Sequence, residues 1–177
     1  ELRYVMDVAM ADAVHYMPER GLLLVRVHTD EGIVGIGESA AYGGSLASMS
    51  AVVLNDLKPS LVGEDPFRVE KLWAKMAWRS HQRGQRGMLP MAMSGVDIAL
   101  WDIVGQATKT PLWKLLGGYR DTLDCYASAG FYAGNKGVPE VAAEFAGYAE
   151  RGFRHGKMKV GRNPDVASNP LHDMWAS

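Results

Sequence analysis

Read for the alternation of apolar and polar side chains, GLLLVRVHTDEGIVGIGES, residues 21–39, predicts two strands joined by a tight turn at Asp30-Glu31-Gly32. Glycine at position 32 can take the positive φ that such a turn needs, so the pair is an antiparallel hairpin. The period then changes. Leu46, Met49, Val53 and Leu57 recur at helical spacing until Lys58-Pro59, where the helix is expected to stop. EDPFRVEKLWAKMAW restarts the pattern, with Asp65 as the expected N-cap and Pro66 at the first helical position. After a basic loop, HQRGQRG, a third helix runs through MAMSGVDIALWDIVGQA, and PLWKLLGG closes the segment on glycines. A hairpin followed by helices is the order of an α+β domain.

From residue 123 the pattern is of another kind. LDCYASAGFY alternates as a strand, VPEVAAEFAGYAERG reads as a helix with Pro139 near its start and Gly152 past its end, and FRHGKMKV reads as a second strand. Strand, helix and strand with a crossover of this length make a parallel βαβ unit. Two strands cannot close a sheet, so residues 123–177 are expected to begin a larger α/β domain and residues 1–122 to form a domain of their own. A start at Glu1 and a stop at LHDMWAS, in polar, turn-rich sequence, suggest a truncated chain.

Side chains on a strand alternate faces, so in FRHGKMKVG residues Phe153, His155, Lys157 and Lys159 share one face, and Arg154, Gly156, Met158 and Val160 the other. Two ammonium groups on one buried face are costly unless an anion joins them or one amine is neutral.

Composition narrows the chemistry. The chain has 177 residues, 47% of them hydrophobic, enough for a real core. Nineteen basic and twenty acidic residues give a net charge of -1 with no long run of either sign, so neither nucleic acid nor an anionic membrane is an evident partner, and a small molecule is the expected one. Cys125 is the single cysteine, Asp97 and Asp102 interrupt the longest apolar stretch, and no signal segment is present, which together fit a cytoplasmic protein. The histidines at 15, 28, 81, 155 and 172 lack metal-ligand spacing, and no CxxC, GxSxG or phosphate-binding glycine motif occurs.

AMSGVDIALWDIVGQATKTPLWKLLG, residues 92–117, resembles the signature of the mandelate racemase and muconate lactonizing branch of the enolase superfamily. VRVHTDEGIVGIGES resembles the hairpin of that family's N-terminal capping domain, and KMKVG resembles the Lys-x-Lys at the end of the second strand of its (β/α)7β barrel. The implied fold is an α+β capping domain, antiparallel sheet plus helices, followed by the beginning of a TIM-like barrel. In such barrels the chemistry gathers at the C-terminal ends of the strands. The resemblance implies that Lys159 removes the proton α to a substrate carboxylate while Lys157 stays charged and binds that carboxylate; nearby cations would favour the neutral form of the base. An enediolate formed this way needs a divalent metal, so Mg²⁺ is the implied cofactor, with its ligands expected beyond Ser177. The implied partner is a small carboxylate substrate, a hydroxy or sugar acid, and a homo-oligomer is the implied assembly. Racemisation, dehydration and cycloisomerisation all stay open.

Several positions have a plainer reading beside the functional one. Ser128 matches a place where some racemase-like members offer a hydroxyl to substrate, although a serine satisfied by backbone is at least as reasonable. Tyr42 in AAYGG and the stretch from His15 to Arg20 correspond to capping-domain loops over the barrel mouth. His172 or Trp175, in an enlarged loop after Lys159, are candidates for substrate contact. Asp97 and Asp102 are expected in structural hydrogen bonds or surface pairs, and His155 as a packed, hydrogen-bonded residue. The competing function is a non-catalytic piece, or a short binding or assembly protein, using the capping fold. The 177 residues alone are expected to be inactive.

Overall fold

A computed structural model describes residues 1–12, 16–40, 45–83 and 86–161. The chain divides into two compact units, Glu1–Arg3 with Gly21–Asp121, and Tyr4–Arg20 with Thr122–Ser177. Strands β1 (Leu2–Ala11), β2 (Tyr16–His28) and β3 (Val34–Ala40) are followed by α1 (Leu46–Ala51), a π-helical segment (Val52–Leu57), α2 (Lys58–Leu61), α3 (Val69–Ser80), a short 3₁₀ turn (His81–Arg83), α4 (Met88–Thr108) and α5 (Leu112–Leu115). Then come β4 (Tyr126–Ser128), β5 (Tyr132–Ala133), α6 (Val138–Glu150) and β6 (His155–Lys157). One sheet has the order β3-β2-β1-β5, and β4 and β6 form a second.

In the first unit the expected hairpin is present. β2 and β3 pair antiparallel from Leu22 opposite Ala40 to His28 opposite Val34. Their connection is Thr29–Ile33, closed by the Thr29 hydroxyl, which donates to the Ile33 carbonyl and accepts from the Ile33 N–H, both at 3.0 Å. Gly32 has φ +82, the left-handed conformation the turn requires. Alternation is clear on both strands: Leu23, Val25, Gly35, Gly37 and Ser39 are buried, while Leu24, Arg26, Ile36 and Glu38 are exposed.

α4 lies flush against this buried face. A Cβ on Gly37 would overlap the Gly95 carbonyl, one on Gly35 the Ala99 carbonyl, and one on Gly95 the Ser39 hydroxyl. Small residues on both elements therefore set the approach, and Ser39 Oγ donates to the Ala92 carbonyl across it. The larger residues of α4, Met93, Val96, Leu100 and Val104, pack with Val25, Leu57, Leu72 and Met76 into the main core. By length and composition alone α4 could cross a membrane, but half of that stretch is buried in this core. Asp102 makes the structural hydrogen bond expected of it: its carboxylate accepts from the Ile36 N–H at 2.8 Å and from Gln106 Nε2 at 2.9 Å, while Gln106 also donates to the Val34 carbonyl at 2.9 Å. Both backbone groups lie on β3, the edge strand, so α4 closes hydrogen-bonding sites that an edge otherwise leaves open.

Two helix boundaries and one strand differ from the sequence expectation. The first helix does not stop at Lys58-Pro59 but continues as α2 to Leu61. The preceding π segment widens the turn, and the Lys58 N–H donates to Val53, five residues back, which carries the chain past the proline. Asp65 is not the N-cap of α3. Its side chain accepts from the Phe67 N–H at 2.9 Å and its carbonyl from Arg68, a local turn that uses Asp65 before the helix starts. β4 and β6 are shorter than the alternation predicted, and the end of LDCYASAGFY leaves the barrel-type pair: Tyr132 and Ala133 form β5, antiparallel to β1 at Ala11 and Met10. The sequence reading passed over β1 altogether, although Leu2, Tyr4, Met6, Val8 and Met10 alternate along it.

Asp97, half-buried on α4, has its carboxyl pushed up by burial and then by the nearby charge of Glu70. A carboxyl raised in the folded state favours unfolding above that raised value, and the penalty fades as pH falls and it protonates. Asp97→Asn is therefore expected to stabilise the fold at neutral pH by less than about 1 kcal/mol given its exposure, seen as a higher melting temperature, and the gain should vanish in acid. A parallel pH series of thermal melts checks this. Gly37→Ala is expected to destabilise the chain by about 2 kcal/mol or more in urea titration, because backbone rather than a movable side chain occupies the space.

Candidate active site

The βαβ segment builds the candidate site in the second unit. β4 and β6 pair in parallel, with Tyr126 beside His155, Ala127 beside Gly156 and Ser128 beside Lys157. Parallel partners project to the same side, so Tyr126, Ser128, His155 and Lys157 form one face. α6 covers the other. Ala127 is buried, and a Cβ on Gly156 would press into the ring of Phe145 from α6. The helix itself starts at Val138-Pro139; Glu140 accepts from the Gly137 N–H at 2.8 Å, and its own and Gly137's backbone N–H groups hold its carboxyl below the usual range.

Ser128 and Lys157 are thus neighbours at the C-terminal ends of their strands, both exposed, and Lys157 Nζ lies 5.9 Å from the centre of the Tyr126 ring. Lys159 is placed differently from the expectation that it shares a strand face with Lys157. β6 ends at Lys157, and Lys159 lies two residues beyond it, where its N–H donates to the Gly130 carbonyl at 3.4 Å. Its half-buried side chain puts Nζ 4.8 Å from the centre of the Phe131 ring. Among the described residues no acidic side chain pairs with Lys157 or Lys159. His155 is exposed rather than packed, and Met158 and Val160, on the other side of the alternation, are 52% and 70% exposed. A two-stranded sheet with one helix has too little surface to cover them. Tyr42, His15, His172 and Trp175 lie outside the described residues.

Two further residues hold the site and were not found in the sequence. Glu144 of α6 accepts from the Gly130 N–H at 3.1 Å and pairs with Lys136 at 2.7 Å. Gly130 has φ +64, and a Cβ there would meet Met158, so only glycine fits the turn that presents Phe131 to Lys159. Nothing in AAEFAGY marks Glu144 as more than a helix surface residue.

The arrangement offers a hydroxyl and an ammonium side by side, able to donate to the two oxygens of one carboxylate, and a second amine two residues further along. It does not offer a metal site: among the described residues no three His, Cys, Asp or Glu side chains come together. A cleft of about 330 Å³ in the first unit, lined by Asp30, Glu31, Glu64 and Asp65, is no competitor, because Glu64 is committed to Lys75 and Lys71 at 2.5 and 3.4 Å.

Residues 3–117 match the family described as mandelate racemase / muconate lactonizing enzyme, N-terminal domain. Arabinonate dehydratase of Saccharolobus solfataricus is 39% identical over 140 residues, which are 79% of this chain and 37% of that protein. The 3,6-anhydro-alpha-L-galactonate cycloisomerase of Streptomyces coelicolor is 37% identical over 169 residues, 93% of this chain and 45% of that one. A solved structure of a racemase from Streptomyces coelicolor with bound magnesium superposes with a TM-score of 0.84 at 33% identity, covering 99% of this chain and 50% of its own. The chain therefore spans half or less of the length of these relatives.

Replacing Glu144 with Gln keeps the shape of the side chain but removes the charge that faces Gly130 and Lys136. The Gly130 amide is expected to exchange with deuterium about tenfold faster in that variant, with amides of α3 and α4 unaffected.

Proposed function

The chain belongs to the mandelate racemase and muconate lactonizing enzyme family of the enolase superfamily, and on that premise we propose that it supplies the capping domain and the first catalytic strands of an enzyme that abstracts the proton α to a carboxylate. Its fold class follows the family: an antiparallel sheet with helices, then the opening strand-helix-strand of a (β/α)7β barrel. We place the boundary at residue 122, with residues 1–122 as the cap and 123–177 as the start of the barrel. The substrate class we propose is a hydroxy or sugar acid, in keeping with relatives named for arabinonate and anhydrogalactonate.

The observation that carries the reading is the pairing of Ser128 with Lys157 on the face away from α6, with Lys159 two residues past the end of β6. In this reading Lys157 holds the carboxylate by charge, Ser128 donates a second hydrogen bond to it, and Lys159 takes the α-proton. The turn through Gly130 and Phe131 fixes where that amine sits. Tyr42 is proposed as a further substrate contact from the cap. Mg²⁺ is the proposed cofactor, supported by the magnesium in the related racemase; the described residues do not form its site, and we place its ligands on barrel strands after Ser177. A cytoplasmic, homo-oligomeric enzyme completes the proposal. The alternative, a binding or assembly piece without catalysis, is not favoured, since the matched relatives are named as a dehydratase and a cycloisomerase.

In the full-length protein, Lys159→Ala is expected to lower exchange of the substrate α-proton with D₂O by about 10² to 10⁴. Lys157→Ala is expected to raise KM for the acid as well as slowing turnover, because its charge is felt in both ground and transition states. Proton NMR of the substrate measures the first and steady-state kinetics the second; undiminished exchange in Lys159→Ala excludes that lysine as the base. The 177 residues assayed alone are expected to give neither exchange nor Mg²⁺-dependent turnover.

A further inference from the structure

Lys159 stands where the β4–β6 ladder has ended, so the sheet that orients Ser128 and Lys157 does not orient it. It is met instead by residues 130–136. The Gly130 carbonyl accepts from the Lys159 N–H at 3.4 Å, and the centre of the Phe131 ring lies 4.8 Å from Lys159 Nζ. This segment opens on a buried glycine at φ +64, a residue with wide backbone freedom and no side chain to anchor it. Arg20 of β2 rests on the same ring, its Cζ 5.9 Å from the centre, but a ring contact holds one side chain and not the backbone that carries it.

The middle of the segment is β5, paired with β1 over two residues. Its ends are held from α6. Glu144 accepts from the Gly130 N–H at 3.1 Å and from Lys136 Nζ at 2.7 Å, so one carboxylate ties the first and last residues of the segment to the helix. A charged acceptor makes the stronger hydrogen bond to an amide, and both members of the ion pair are half-buried. A pair serving α6 alone would run along the helix, whereas this one leaves it for the turn that touches Lys159.

We propose that Glu144 is a positioning residue for Lys159, fixing the amine through Gly130 and Phe131 without touching substrate. The proposal rests on the reading above, in which Lys159 takes the α-proton while Lys157 and Ser128 hold the carboxylate. Those two are oriented by the ladder, so loss of Glu144 acts on proton transfer and leaves the grip on the acid intact. Proton transfer depends steeply on placement: an error of about 1 Å can cost about a hundredfold in rate.

Full-length wild type, Glu144→Gln and Glu144→Ala, each variant also combined with Lys159→Ala, are assayed with Mg²⁺ for α-proton exchange into D₂O and for turnover of arabinonate, galactonate and mannonate. Assay temperatures are kept well below each melting midpoint, so that all of the protein is folded. Glu144→Ala is expected to lower kcat and exchange by about ten- to a hundredfold with KM within about twofold of wild type, and Glu144→Gln, still able to accept from Gly130, to fall between. With Lys159 already replaced by Ala, Glu144→Ala is expected to change the residual rate by less than about twofold, because the group it positions is gone. A kcat that stays within twofold of wild type overturns the proposal. So does a KM that rises in step with the loss, or an equal loss in the Lys159→Ala background, since either makes Glu144 a general support of the fold. If Glu144→Ala does not fold, Glu144→Gln is judged by the same limits. These results leave the proposed function standing, whereas a wild type that exchanges the α-proton of no sugar acid, or a Lys159→Ala with full exchange, removes that function and the inference with it.

Discussion

The approach of α4 to β3 is set by side chains that are missing. Gly35 and Gly37 on the strand and Gly95 on the helix let backbone meet backbone, and each would collide if it carried a Cβ. Dispersion falls off steeply with separation, so a helix held this close gains contact along its whole length, and its larger residues are aimed from there into the core. The same proximity lets Asp102 and Gln106 reach the open edge of β3. Packing, edge protection and the placement of Met93, Val96 and Leu100 all follow from one spacing.

A related device serves the second unit. Gly156 on β6 makes room for the Phe145 ring, so α6 seats on one side of the β4–β6 pair and the polar residues are left to the other. That division puts Ser128 beside Lys157. The turn that follows is held by charge rather than by apolar packing: Glu144 binds the Gly130 amide and Lys136 together, and Phe131, next in the chain, carries the cations. Apolar contact decides which face is free, and a few polar contacts decide what stands on it.

Charge on that face is unbalanced within the described residues. Ion pairs exist nearby, as Lys136 with Glu144 shows, but among the described residues no acidic side chain pairs with Lys157, Lys159 or Arg20. Ring contacts are weak substitutes for carboxylates.

Much of this was legible in the sequence. The hairpin, α4 and α6 were readable because period and turn residues agree locally: Gly32 for the turn, Pro139 and Gly152 at the ends of α6, apolar spacing along α4. The two lysines stood out for the same reason, as charges inside an apolar pattern. Where local signals competed, only the tertiary structure decided. Asp65 could cap a helix or a turn and does the second; Pro59 could stop a helix and is carried past by a π segment; Tyr132 continues a strand pattern but pairs with β1 instead. Residue spacing put Lys157 and Lys159 on one strand, while β6 ends at Lys157 and leaves Lys159 beyond it. The meeting of Arg20, Phe131 and Lys159, more than a hundred residues apart along the chain at its widest, has no sequence signature at all. Periodicity reports which side of its own element a residue takes, and it carries no record of which distant element comes to lie against that side.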